Sequence, residues 1–400
     1  MFVSFRHPLE IWNENPTFLA CTIVFQTMAL LSLIHAYCNG RKSLLLWFSA
    51  LGHGLTTEAL SYFLPDIDSF WHSQSMVMFL GGRLPLYVVL FYPTVMYTTN
   101  TAVGRLKLNL LSHVFAVGMA DVLIDFPFDI MGIKLLWWTW HDTDPNIFDR
   151  HYNVPWTSYL YHMTFASAFS FLFNTTWNKI VGTGHQQRQT VLQNIVKLTC
   201  CFVMVSLLSM PLGVVQITLY HVLHDIYHIH TEVVTFIYIV IYGYVTWSGE
   251  RRRPEDNSQQ GGCSRVSLIS VIVCIHYAFY IILVLAIAKP ENLRSTGMHE
   301  TIGNCSLFSS VTSVIGMTLP KKSFLCASNY SEPVFDWHCL PDSQPPAEMS
   351  QWYTVCGTPY PNRQEYILVV CTFCLLGLLV FYEILWKPNA NSTKVKHKKL

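Results

Sequence analysis

Residues 106–130 read LKLNLLSHVFAVGMADVLIDFPFDI. About 20 apolar residues suffice to cross a hydrocarbon core, so this stretch is long enough, yet it carries Asp121, Asp125 and Asp129. A carboxylate near the bilayer centre costs on the order of 2.5–3.5 kcal/mol on insertion scales, a cost tolerated where the group faces a protein interior or a wet cavity. Residues four apart share a helix face. Asp121 and Asp125 therefore point together, with Asp129 one turn on, past Pro127. The spacing predicts a polar site inside a membrane.

The remainder of the 400-residue chain agrees. Hydrophobic residues make up 52% and charged residues 12%, against about 25% charged in soluble proteins. A net charge of +1, with no basic patch interleaved with aromatics, excludes nucleic acid as a partner. Nine apolar segments are expected to span, at 17–37, 43–63, 76–97, 106–130, 155–176, 192–220, 231–248, 267–288 and 366–386. The sixth is long for one straight span, and Pro211 and Gly213 are expected to kink it. No basic leader and cleavage site precede the first run, which reads as a retained signal anchor.

Basic residues follow alternate spans: Arg41 and Lys42, Arg105 and Lys107, Lys179 and Arg188, Arg251 to Arg253, then Lys387, Lys394, Lys396, Lys398 and Lys399. By the positive-inside bias these loops are cytosolic. The expected fold is an all-α, polytopic transmembrane helix bundle of about nine spans with one long luminal loop. Residues 1–16 form a luminal N-terminus, 17–248 a core of seven spans and 249–266 a cytosolic loop. The eighth span (267–288), a luminal loop (289–365), the ninth span (366–386) and a cytosolic basic tail (387–400) follow.

The 289–365 loop holds Cys305, Cys326, Cys339 and Cys356, an even number suited to two disulfides in an oxidising compartment. It also holds glycosylation sequons at Asn304 and Asn329, whereas those at Asn174 and Asn391 fall on the cytosolic side. Lys396 and Lys398 resemble a dilysine retrieval signal, which implies the endoplasmic reticulum or another endomembrane; the alternative is a plain basic tail attracted to anionic lipid.

On this map the titratable residues gather at the luminal side. Glu58 ends the second span and Arg83 lies in the third. The loops add Asp66, Asp68, His72, His141, Asp142, Asp144, Asp149 and His151. Arg83 is the expected counter-ion for Glu58 or the aspartates, because a buried arginine without a partner is costly. A satisfied ion-pair network would be a purely structural use of these groups. Three carboxylates exceed what one arginine needs, however, and an excess carboxyl in a dry site can hold a proton for general-acid work. The expected catalytic set is Asp121, Asp125, Glu58 and Arg83.

His221, His224, Asp225 and His228 have the i, i+3, i+4, i+7 spacing of one helix stripe, which can hold zinc or iron. The alternative is a wet row of interfacial histidines. His53 and His162 are single histidines inside apolar spans, where a packed, hydrogen-bonded ring is the usual role. Trp137, Trp138 and Trp140 suit an interfacial belt, and indole faces also stabilise cations. His162, Asp129, Trp138 and Trp140 are placed as substrate-lining. Nucleotide-binding glycine loops, a GxSxG elbow and a triple histidine box are absent from the sequence.

Four stretches, GHGLTTEALSYF (52–63), RLPLYVVLFYPTVMY (83–97), ADVLIDFPFDIMGIKLLWWTW (120–140) and YNVPWTSYLY (152–161), occur in order. Together, residues 44–175 resemble the carotenoid-biosynthesis membrane protein family, which includes carotenoid hydratases. The resemblance implies a similar helical core, an isoprenoid-like substrate, and Glu58, Asp121, Asp125, Trp138 and Trp140 as site residues. The HxxxH pair His224/His228 is more loosely similar to ceramidase and adiponectin-receptor-like hydrolases. The reading is a membrane protein that acts on or binds an isoprenoid, sterol-like molecule or other membrane lipid by acid–base chemistry, without a required cofactor. The alternatives are a non-enzymatic lipid-binding, transport or scaffold protein, and a zinc- or iron-dependent hydrolase using His221 to His230.

Overall fold

A computed structural model describes residues 2–64, 69–141, 144–182, 190–249, 267–287, 289–326 and 333–386. Asp66, Asp68, Asp142, Arg188, Arg251 to Arg253, the sequons at Asn329 and Asn391, and the tail with Lys396 and Lys398 lie outside the described residues.

Among the described residues, a short helix α1 (Pro8–Glu14) precedes nine long ones, one in each stretch expected to span. These are α2 (Pro16–Cys38), α3 (Arg41–Phe63), α4 (Leu86–Gly104), α5 (Leu110–Lys134), α6 (Trp156–Thr176), α7 (Val191–His221), α8 (Thr231–Ser248), α9 (Leu268–Ile282) and α10 (Arg363–Leu385). Among the described residues, four segments are long and apolar enough to cross a membrane: Pro16–Cys38, Val191–Ile226, Leu268–Ile287 and Arg363–Leu385. Their outward faces are apolar, with Leu207, Val215, Leu368 and Leu379 among the exposed residues. Apolar surface on that scale marks contact with something other than water.

α5 is the hub. It packs against α4, α6, α8, α9 and α10, and from Ile124 to Lys134 every residue is buried. Asn109 caps its start, its Oδ1 accepting from the Ser112 amide at 2.9 Å. Pro127 lies inside the helix and cannot donate to the carbonyl of Leu123. Tyr277 of α9 fills that place, its hydroxyl donating to Leu123 O at 3.1 Å, and His276 Nε2 meets Ile124 O at 2.8 Å. A kink in a dry bundle is tolerated when a neighbouring helix satisfies the freed carbonyl.

The structure departs from the all-α expectation. Short strands cluster at the end of the bundle where the chain begins. β1 (Val3–Phe5) pairs with β3 (Val77–Phe79), and β3 with β4 (Leu84–Pro85). β2 (Phe70–His72) pairs with β5 (Trp138–Trp140), and β6 (Arg150–His151) with β7 (Val154–Pro155). The third expected span therefore starts late. Gly81 and Gly82 hold φ of +69° and +94°, conformations that interrupt a helix, so α4 begins at Leu86 and Arg83 sits in the turn before it. The fourth helix is shifted to Leu110–Lys134, and α7 stays one helix through Pro211.

Within the segment expected as a loop, residues 289–326 and 333–362 fold. β8 (Arg294–Met298) and β11 (Phe335–Asp336) flank β12 (Trp352–Gly357), and β9 (Phe308–Thr312) forms an antiparallel hairpin with β10 (Thr318–Lys322). Two disulfides form as expected, Cys305–Cys326 and Cys339–Cys356. The first brackets the β9–β10 hairpin. This cap docks on the bundle: Ser73 Oγ lies 2.5 Å from Ser295 Oγ, and Lys134 Nζ donates to Thr358 Oγ1 at 3.1 Å.

Candidate functional site

Asp121, Asp125 and Asp129 lie on one face of α5, each no more than 2% exposed. α6 supplies their partners. Its Ser158 and His162 stand four apart and so share a face. Ser158 Oγ donates to Asp129 Oδ2 at 2.7 Å. His162 Nδ1 lies 3.3 Å from Asp121 Oδ2, and its Nε2 lies 3.2 Å from Asp125 Oδ1. One imidazole thus bridges two carboxylates. The counter-group of the aspartates is His162, not Arg83 as the sequence suggested. Arg83 instead donates to Phe70 O at 3.2 Å and lies over the rings of Trp71 at 5.1 Å and Tyr62 at 6.0 Å.

The cluster opens on a cavity of about 430 Å³ lined by Asp121, Asp129 and His162 but not by Asp125, which is wholly buried behind. Most of the wall is apolar, with Phe91, Phe128, Phe165 and Val214 prominent. Trp138 and Trp140 also line it, held by the β2–β5 ladder that pairs Phe70 with Trp140 and His72 with Trp138. Trp138 fits because position 132 is glycine: a Cβ there would overlap its ring. Glu58 of α3 also faces the cavity, and Tyr92 of α4 donates to its Oε1 at 2.7 Å. Tyr92 packs on Gly54, where again no Cβ would fit. Glu58 and Arg83 both border a second, much smaller pocket.

The roof is the hairpin of the disulfide-bearing segment, with Val311, Thr312, Ser313 and Val314 lining the same cavity. Sequence periodicity gave no sign of this, because the hairpin lies at least 90 residues along the chain from the rest of the cavity wall. His299 of the cap was likewise missed. Its Nδ1 is 3.3 Å from His141 Nε2, and Thr139 Oγ1 is 3.4 Å from both. Burial pushes His299 down to about 3, with the Arg83 charge adding to it. The same two causes take His72 to about 3. His141 falls well below the ordinary histidine range by burial first, then by the charges of His299, Arg150 and Arg83.

The histidine stretch does not form the expected stripe. The helix widens to a π turn over Val222–Ile226 and ends, and His228 takes a φ of +55° and is exposed. His221 Nδ1 and His224 Nδ1 each pair with Asp225, at 2.8 and 2.7 Å, and His230 Nε2 lies 3.1 Å from Asp149 Oδ1. Asp149 Oδ2 in turn accepts from the amide and hydroxyl of Thr231 at the start of α8. Carboxylates hold these rings in place, and His228 is turned away from them. Asn304 is exposed, with Oδ1 accepting from the Ser306 amide at 2.9 Å. Asn174 sits within α6, its amide donating to Ser170 O at 2.8 Å.

A mostly helical chain with four membrane-crossing candidates, a buried acidic cluster and a disulfide-bonded cap suggests a membrane protein. The chain belongs to the DUF7802 family, a domain of unknown function that matches residues 1–386. Neither the curated proteins nor the solved structures contain a match to it.

Proposed function

We propose that this is an endomembrane protein that binds a hydrophobic lipid, isoprenoid or sterol-like in character, and acts on it by acid–base chemistry. In this reading all nine long helices cross the membrane, with the N-terminus luminal and the C-terminus cytosolic. Glycans on Asn304 and Asn329 and retrieval through Lys396 and Lys398 belong to the same proposal. The observation that carries it is the Asp121–His162–Asp125 bridge set into the wall of an otherwise apolar cavity. A cavity of about 430 Å³ is of ligand-site size, and an apolar wall selects an apolar body.

Asp121 faces the cavity and serves as the group that touches substrate. Asp125 acts through His162 as a positioning residue. A protonated Asp121 carboxyl would give its proton to an alkene carbon or to an oxygen leaving group. The resulting cation would be held over Trp138 and Trp140, and Glu58 would take the proton released when water adds. This is the chemistry implied by the hydratase-like resemblance. The alternative of binding without turnover shares the cavity and lacks the proton steps.

The test is lipid profiling of cells lacking the protein, complemented with wild type or Asp121→Asn, together with mass spectrometry of lipid that copurifies. The expected result is one lipid class that changes in the null and is restored by wild type but not by the variant. Restoration by Asp121→Asn would refute the chemistry while leaving binding. Unchanged lipids and no copurifying lipid would refute both.

A further inference from the structure

The same cluster has the donor arrangement of a cation site. The geometry points to a divalent transition-metal ion, of the zinc or manganese type, held by Asp125, Asp129 and His162. One ligand atom from each of these three lies within 4.8 Å of the other two. His162 Nε2 and Asp125 Oδ1, 3.2 Å apart, have the spacing of two ligands on one tetrahedral ion, roughly 3.3 Å for bonds of about 2.0 Å.

Three further observations support the assignment. First, His162 is oriented as metal-bound histidines are. Its Nδ1 faces the Asp121 carboxylate, which fixes the tautomer and aims Nε2 at Asp125 and Asp129, the carboxylate–histidine–metal relay. Second, the wholly buried Asp125 meets His162 Nε2 through Oδ1 at 3.2 Å, while its Oδ2 and Oδ1 of Asp121 have no well-aligned donor among the described residues. Buried polar atoms rarely go without a partner, and a cation supplies one. Third, three carboxylates surround one imidazole, an excess of negative charge that a dication offsets.

The cavity also exposes His53, wholly buried, whose two ring nitrogens have no partner among the described residues. Two carboxylates and an imidazole without thiolate suit zinc, manganese or ferrous iron rather than copper(I). This site is separate from the His221–His230 stretch, whose rings are already engaged by Asp225 and Asp149. The inference goes beyond the acid–base reading and does not depend on turnover.

The experiment uses full-length protein purified in detergent. Its metal content is measured by mass spectrometry, then chelator-stripped protein is titrated with zinc chloride and with manganese chloride while thermal unfolding is followed. Expected are near-stoichiometric metal and a rise in Tm with one of the two ions. Asp129→Asn and His162→Gln should lose the bound metal and the Tm rise. Asp121→Asn should retain the site with affinity lowered about 10- to 100-fold, as for other outer-shell partners. His221→Gln should behave as wild type. Monodisperse wild-type protein with neither bound metal nor a Tm response to either ion overturns the assignment, whatever the variants do. Loss of metal in His221→Gln but not in Asp129→Asn overturns it in favour of the histidine stretch. Either failure leaves the lipid reading intact, because lipid profiling is scored separately.

Discussion

The Tyr277 hydroxyl donates to the Leu123 carbonyl at 3.1 Å, the acceptor that Pro127 leaves without its helical donor. Proline inside α5 frees a backbone carbonyl while three aspartates stay on one face, and α9 supplies the missing hydrogen bond. Tyr277→Phe should lower stability by about 1 kcal/mol, the net worth of such a bond. Thermal unfolding in detergent measures it. A Tm equal to that of wild type would mean the freed carbonyl needs no support from α9.

Removing His162 leaves two carboxylates facing each other without their shared partner. Breaking a buried pair from one side costs about 3–5 kcal/mol. His162→Gln should therefore be strongly destabilised. The double variant Asp125→Asn/His162→Gln should recover part of the loss, because one fewer charge is stranded. The comparison is made by size-exclusion profile and Tm. A double variant worse than the single by the full Asp125→Asn effect would show that the two residues do not interact.

Gly132 is the seat of the Trp138 ring. Gly132→Ala should cost about 1–3 kcal/mol by overpacking and push β5 into the cavity. Gly132→Ala/Trp138→Leu should regain stability, since the smaller side chain clears the methyl group. Retention of copurifying lipid in the single alanine variant would argue that Trp138 does not set the cavity wall.

The Cys305–Cys326 bridge closes a loop of 21 residues around the roofing hairpin. In the chain-entropy account a loop of this size is worth about 3 kcal/mol. Cys305→Ser/Cys326→Ser should loosen the roof. Limited proteolysis should then cut within residues 308–322 faster than in wild type, while helices of the bundle stay protected. Equal cleavage rates would show that the hairpin is held by its packing alone.

The cap meets the bundle through His141 and His299, which folding holds neutral by burial. Their folded values lie below the unfolded value of about 6.5. The stability they contribute is thus fully present above about pH 6.5 and is lost as pH falls toward the folded values. Hydrogen exchange in Arg294–Met298 and Trp352–Gly357 should accelerate between about pH 7 and about pH 5, and His299→Phe should flatten that dependence. Exchange independent of pH in the wild type would remove these histidines as the cause.

The long apolar runs made the helices legible, since backbone groups in an apolar setting must pair within their own segment. Boundaries failed where short-range chemistry intervened. Gly81, Gly82 and Pro85 turned the start of the third segment into strand and turn, and the π turn after His221 broke a stripe that spacing alone had promised. Tyr92 and Ser158 are ordinary residues in sequence, and only their neighbours make them site residues.

By itself, the sequence determined the helices, the shared face of Asp121, Asp125 and Asp129, and the presence of two disulfides, because periodicity and cysteine number are properties of a local or countable kind. Only the tertiary structure decided that His162 rather than Arg83 answers the aspartates, and that a hairpin from the distant cysteine segment roofs them. Those pairings depend on which helices pack together, and packing is settled by shape and charge summed over the whole bundle rather than by any one stretch of chain.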